Sequence, residues 1–122
     1  MNKDFEKMIN KANKLDNVRN SVIHLFTTLA NKINFSLGTA VNCTIYKNGK
    51  SVCYIYFLSK SIQAWDEDQS GNECELYDEL MSTSLLEKHL KRVPKSNGIP
   101  IQKLSLTTDD EVLQFEHDLL NL

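Results

Sequence analysis

Residues 40–58 read AVNCTIYKNGKSVCYIYFL, and this stretch decides the fold. Asn48-Gly49 stands between two runs rich in β-branched and aromatic residues, the strongest short-range hairpin signal. A two-residue turn pairs Lys47 with Lys50, Ile45 with Val52 and Cys43 with Tyr54. One face then carries Val41, Cys43, Ile45, Val52, Tyr54, Tyr56 and Leu58. The other carries Asn42, Thr44, Tyr46, Cys53, Ile55 and Phe57. The second strand is apolar on both faces, which predicts a place in the interior of its sheet. This register puts Cys43 and Cys53 on opposite faces, where no disulfide can join them.

Upstream, Phe5, Met8, Ile9, Ala12 and Leu15 recur at helical spacing, and so do Val18, Val22, Phe26, Leu29 and Ile33. Asp16-Asn17 between the sets competes for backbone hydrogen bonds, so one kinked helix or two shorter ones fit. Leu37-Gly38 closes this region. Downstream, Ser61–Trp65 reads as a third strand and Gln69-Ser70-Gly71-Asn72 as a loop. Residues 73–93 read as helix, with Leu76, Leu80, Thr83, Leu86, Leu90 and Val93 on one stripe. Ser84 and Glu87 also form a capping-box pattern, so the helix can restart there. Pro94–Pro100 is a loop. In residues 101–106, Ile101, Lys103 and Ser105 alternate with Gln102, Leu104 and Leu106, leaving the inward face open. Thr108 with Glu111 forms a capping box that opens a final helix lined by Val112, Phe115, Leu119 and Leu122. The predicted order is α-β-β-β-α-β-α: a single α+β domain over residues 1–122, an antiparallel hairpin-centred sheet covered by helices.

Composition fits one globular domain. The chain has 122 residues, 41% hydrophobic and 25% charged, with only four Gly and two Pro. Frequent Lys and Asn fit an AT-rich bacterial or phage genome. No run approaches the roughly 18 apolar residues that span a bilayer. Nor do the first residues carry a signal-peptide core. A soluble, cytoplasmic protein is expected, with its three cysteines, Cys43, Cys53 and Cys74, as free thiols.

Charge is unevenly placed. Residues 1–60 hold nine Lys/Arg against three Asp/Glu, and residues 61–122 hold five against thirteen. No Lys or Arg occurs from 61 to 87, yet Asp66, Glu67, Asp68, Glu73, Glu75, Asp78 and Glu79 crowd behind Trp65, the only tryptophan. Some of these acids suit a helix N-terminus. The whole run, with Trp65, Leu76 and Tyr77, combines aromatic anchors with charge steering and is the candidate partner-binding site. It is expected to cover the exit of the third strand, the next loop and the start of the middle helix, at one edge of the sheet.

Catalytic chemistry finds little support. The order α-β-β-β-α-β resembles the core of the restriction-endonuclease-like nucleases. That resemblance implies an acid on the second strand, then an acid and a Lys two residues apart on the third, holding a divalent metal. Residues 51–58 carry no carboxylate and 61–65 no Lys, so the active-site positions do not match. His24 reads as a helix histidine at the core edge and His89 as a surface residue. His117 cannot pair with Glu116 or Asp118 by adjacency, because neighbours on a helix point about 100° apart. No Cys or His pair has the close spacing of a metal knuckle. No catalytic residue, metal or cofactor is expected. Lys3, Lys7, Lys11 and Lys14 share one helix face, a possible phosphate-contacting stripe. An ordinary solvated lysine face is the preferred explanation, so nucleic-acid binding is a minority expectation.

The chain is therefore expected to be a non-catalytic protein-binding inhibitor: a bacterial immunity protein or antitoxin that neutralises a cationic toxin nuclease domain through its acidic surface. A phage-encoded inhibitor of a defence nuclease has the same properties. The alternatives are a secretion chaperone-like homodimer that binds an effector segment, and an uncharacterised enzyme. A monomer in 1:1 complex with a basic partner distinguishes the inhibitor from the chaperone.

Overall fold

Asn48 and Gly49 adopt φ of 52° and 79°, the two positive values that a type I′ hairpin turn demands and that Asn and Gly supply at least cost. They join β2 (Cys43–Lys47) to β3 (Lys50–Phe57). Lys47 pairs with Lys50 as expected, but the ladder then slips, and Ile45 faces Cys53 while Cys43 faces Ile55. Val52 is an extra residue on β3. Two residues opposite one is a β-bulge, and it turns Val52 and Cys53 together toward the core. Both are fully buried. The expected face assignment is therefore corrected: Cys43, Ile45, Cys53, Ile55 and Phe57 share one face, and Thr44, Tyr54 and Tyr56 the other. Cys43 and Cys53 lie on the same face, as diagonal neighbours whose spacing is too long for a bridge. All three cysteines are free and buried.

The computed structural model describes residues 2–39, 42–82, 84, 90–93 and 101–122. The other elements are α1 (Lys3–Ala12), α2 (Arg19–Ala30), β1 (Phe35–Thr39), β4 (Ile62–Trp65), α3 (Tyr77–Ser82), β5 (Leu90–Val93), β6 (Ile101–Leu106) and α4 (Asp109–Leu120). All strand pairings are antiparallel, in the order β1-β2-β3-β4-β6-β5. β3 is interior, as its two apolar faces predict. This is a single α+β domain of the expected class.

At the N-terminus one of the two expected arrangements is realised, and three boundaries beyond it differ from expectation. The N-terminal region forms two helices, and the break falls at Asp16-Asn17, after which Val18 holds a left-handed φ of 53°. A β-branched residue tolerates this conformation poorly. The burial of Val18 against the core helps hold it there. α2 ends at Ala30, so Ile33 leaves the apolar stripe and is fully exposed at 105%. Phe35–Thr39, expected to close the helical region, is a strand that extends the hairpin to a meander. Residues 90–93, expected as helix, form β5 beside β6. The Leu86 part of the predicted stripe, the Ser84–Glu87 cap, His89 and the Pro94–Pro100 loop lie outside the described residues.

One buried cluster joins Phe5, Met8, Leu25, Phe26 and Phe115 of the long helices to Ile45, Ile55, Ile62 and Leu104 of the strands. Leu104 and Leu106 are the inward residues of β6, both fully buried. α3 joins the same cluster through Tyr77, whose hydroxyl donates to the Ala64 carbonyl at 3.1 Å. α4 opens with the expected capping box of Thr108 and Glu111. The helices thus gather on one face of the sheet. Among the described residues no helix covers the other.

Candidate functional site

Alternation along the strands decides what the uncovered face displays. Once Ile62 and Ala64 point into the core, Gln63 and Trp65 must point away. The same logic places Thr44, Tyr54, Tyr56, Lys103 and Ser105 there. Cross-strand register lines up Gly38, Thr44, Tyr54, Trp65 and Lys103 from β1 to β6. Tyr54 is buried yet stands outside the main core cluster. Its neighbours are Trp65, edge-on at 6.2 Å between ring centroids, and the loop after β4.

Trp65 is held from two directions. Tyr56 stacks on it at 5.0 Å with ring planes 7° apart, and the Lys103 ammonium lies 3.9 Å from its ring centroid. β3 and β6 flank β4 on opposite sides, so the two neighbours approach from opposite sides. The indole N–H donates to Gln63 Oε1 at 3.0 Å. Trp65 is thus a fixed, half-exposed side chain on a rigid strand.

The acidic stretch leaves the end of β4. Since β4 is an interior strand, this is a strand end and not an edge of the sheet, which corrects the expected placement. Asp66 N donates to Gln102 O, and Cys74 N to Asp66 O. Glu67 and Glu73 face each other across an antiparallel bridge. Asp68 shapes the tip: its Oδ1 accepts from the amides of Ser70 and Asn72, each at 2.9 Å. That Asx geometry explains why an aspartate stands there. The loop then crosses to the start of β3, where Glu75 N donates to Ser51 Oγ and Leu76 N to Ser51 O.

The fold therefore divides the seven acids. Asp66, Glu67, Asp68 and Glu73 form a miniature hairpin following Trp65. Glu75 sits at the crossing, and Asp78 and Glu79 open α3. Glu79 shares a surface hollow with Lys47 and Lys50 of the hairpin turn. Folding thus returns positive charge to a stretch that has none in sequence, with Lys103 beside Trp65 and Lys47 and Lys50 beside Glu79. Sequence reasoning named Trp65 and the acids but missed Tyr54, Tyr56 and Lys103 as their companions. The period-two alternation held that signal, but the bulge obscured it.

Several other titratable groups tie elements together or lie buried. His24 Nδ1 lies 2.8 Å from Glu116 Oε1 and ties α2 to α4. Asp118 accepts from Ser84 Oγ at 2.6 Å and from Gln114 Nε2 at 3.0 Å. Glu116 and Asp118 are buried and His117 between them is exposed. Burial pushes the Cys53 thiol well up and the Cys74 thiol up to about 12, so neither is a ready nucleophile. In the lysine stripe, Lys11 donates to Asn42 Oδ1 at 3.2 Å and lies 4.8 Å from the Phe57 ring centroid. Burial lowers its pKa, against an opposing contribution from Cys43. Lys3, Lys7 and Lys14 are exposed.

Among the described residues, no group of three or more His, Cys, Asp or Glu could hold a metal ion. No helix among them is long and apolar enough to cross a membrane. The fold and surface define an α+β sheet protein with helices on one face and an aromatic, acid-bordered other face. No family model, curated protein or solved structure matches the chain.

Proposed function

We propose that this chain is a non-catalytic protein-binding inhibitor that acts in the bacterial cytoplasm on a cationic partner such as a toxin nuclease domain. It binds through the uncovered sheet face and the acidic hairpin beside it. The observation that carries this reading is the juxtaposition of the stacked, partly exposed Tyr56 and Trp65 with Asp66, Glu67, Asp68 and Glu73, which follow directly on the strand of Trp65. Fixed aromatics lose little conformational entropy on binding and make efficient anchors. Carboxylates around them steer a basic partner into register. Stacking of nucleic-acid bases is the weaker alternative, because both sides of the Trp65 ring are already occupied.

The test is co-expression with cationic products of neighbouring genes. Light scattering should find a 1:1 complex that weakens as salt rises and that suppresses the partner's activity. Binding indifferent to salt, or to reversal of the loop acids, would remove this surface from the interface. A second reading, a secretion chaperone-like homodimer, rests on β1, which pairs only with β2 among the described residues, and on exposed Ile33 just before it. A stable dimer of the isolated chain favours that reading.

A further inference from the structure

A shallow cleft of about 230 Å³ lies on the uncovered face, where the acidic hairpin leans over β1, β2 and β3. Gly38 and Thr44 form part of its lining, with Tyr46 and Tyr54 beside them and Asp68 and Ser70 at the rim. Gly38 matters here: a β-carbon at this position would sit 3.0 Å from Tyr46 Cε2. The Tyr46 ring therefore lies across the glycine. Asp68 uses Oδ1 for its turn, accepting the amides of Ser70 and Asn72, which leaves Oδ2 for an outside donor.

We infer that this cleft receives an arginine side chain of the protein partner, an assignment that rests on the protein-binding reading above. Aromatic faces carry negative potential and attract a cation. A planar guanidinium stacks on tyrosine and still donates to a carboxylate, whereas an ammonium is a compact, strongly hydrated point charge. The turn fixes Asp68 before the ligand arrives, so little ordering cost remains at binding.

The test is an amide-resolved NMR titration of the full chain with N-acetyl-arginine methylamide. The neutral citrulline analogue and N-acetyl-lysine methylamide serve as controls. The arginine compound should give saturable shifts at Gly38, Thr44 and Ser70, and the citrulline compound should not. Asp68→Asn keeps a side-chain oxygen for the turn and removes the charge, so the probe should bind about tenfold more weakly with thermal unfolding unchanged. Gly38→Ala displaces the Tyr46 ring and should also weaken binding. If Asp68→Asn fails to fold, Tyr46→Leu, which removes an aromatic wall, carries the same expectation. Equal binding of citrulline, equal binding of lysine, or no saturable shift overturns the assignment. If the arginine probe fails while a cationic partner still binds 1:1, the cleft is wrong and the protein-binding reading stands. If both fail, both are wrong.

Discussion

Trp65 stacks on Tyr56 although its partner in the ladder is Tyr54. Tyr54 meets the indole edge-on at 6.2 Å, while Tyr56, one diagonal step away, lies parallel at 5.0 Å. The indole therefore leans along the sheet, and Lys103 covers its other side. Lys103→Met should cost about 0.5–1 kcal/mol, and Tyr56→Leu a further 0.5–1.5 kcal/mol or so for the lost ring pair. Urea unfolding followed by circular dichroism measures both. Emission from the only tryptophan should shift in each variant. Unchanged emission would mean that the indole is not sandwiched.

Reversal of charge should separate the two groups of acids. Lys at Asp66, Glu67 and Glu73 should slow association with a cationic partner about tenfold at low salt, with little effect at high salt. Lys at Asp78 and Glu79, which open α3 on the helix-covered side, should leave association nearly unchanged. Stopped-flow mixing at two ionic strengths reads the difference, and equal slowing by both sets would contradict the division.

The cap of α4 sets an acid-sensitive contribution to stability. Burial alone would raise the Glu111 carboxyl, but hydrogen bonds from Thr107 and Thr108 outweigh it and hold the group below its ordinary value of 4.5. A group lowered on folding stabilises fully above its unfolded pKa, and that contribution is lost as pH falls through the folded value. Glu111→Gln should therefore flatten the loss of stability as pH drops below about 4.5. Thr108→Ala should cost about 1 kcal/mol at neutral pH. Denaturant midpoints from pH 6 to pH 3 (a range of about three units around carboxylate titration) measure both effects.

Thiol accessibility tests the bulge. Cys43, Cys53 and Cys74 are buried and free, and burial raises all three thiols. A thiol-reactive dye should label the native chain only on the timescale of opening, and all three cysteines in denaturant. Mild oxidation should not produce a Cys43–Cys53 bridge. Fast labelling of Cys53 in the native state would show that Val52 and Cys53 do not both turn inward.

Tyr77→Phe deletes one buried hydroxyl and its bond to the Ala64 carbonyl. The expected cost is about 1 kcal/mol, seen as a lower urea midpoint with an unchanged slope.

The hairpin was legible because Asn48-Gly49 encodes its own turn, and α4 because Thr108 and Glu111 encode its start. Both signals are local. β1 was not, since Phe35-Ser36-Leu37-Gly38-Thr39 is short and contains a glycine, and only pairing with β2 makes it a strand. β5 failed for the same reason, because Leu90–Val93 takes its state from β6. The bulge at Val52 has no local marker, and missing it exchanged the faces of the hairpin. For the candidate site, the sequence pointed to Trp65 and its acids through composition. It could not reveal Lys103, 38 positions away and yet directly opposite Trp65 in the ladder.

The insertion of β6 between β4 and β5 has a consequence for a chain made from its N-terminus. Until β6 emerges, β1 to β4 form a meander whose last strand presents an open row of donors and acceptors, with Trp65 at its end and no lysine over the indole. Strands in that condition invite pairing with other chains. β6 therefore does more than extend the sheet. It covers the open margin of β4 and brings Lys103 over the indole in the same event, so, on the proposed reading, a nascent chain should become safe from aggregation and competent to bind at the same moment.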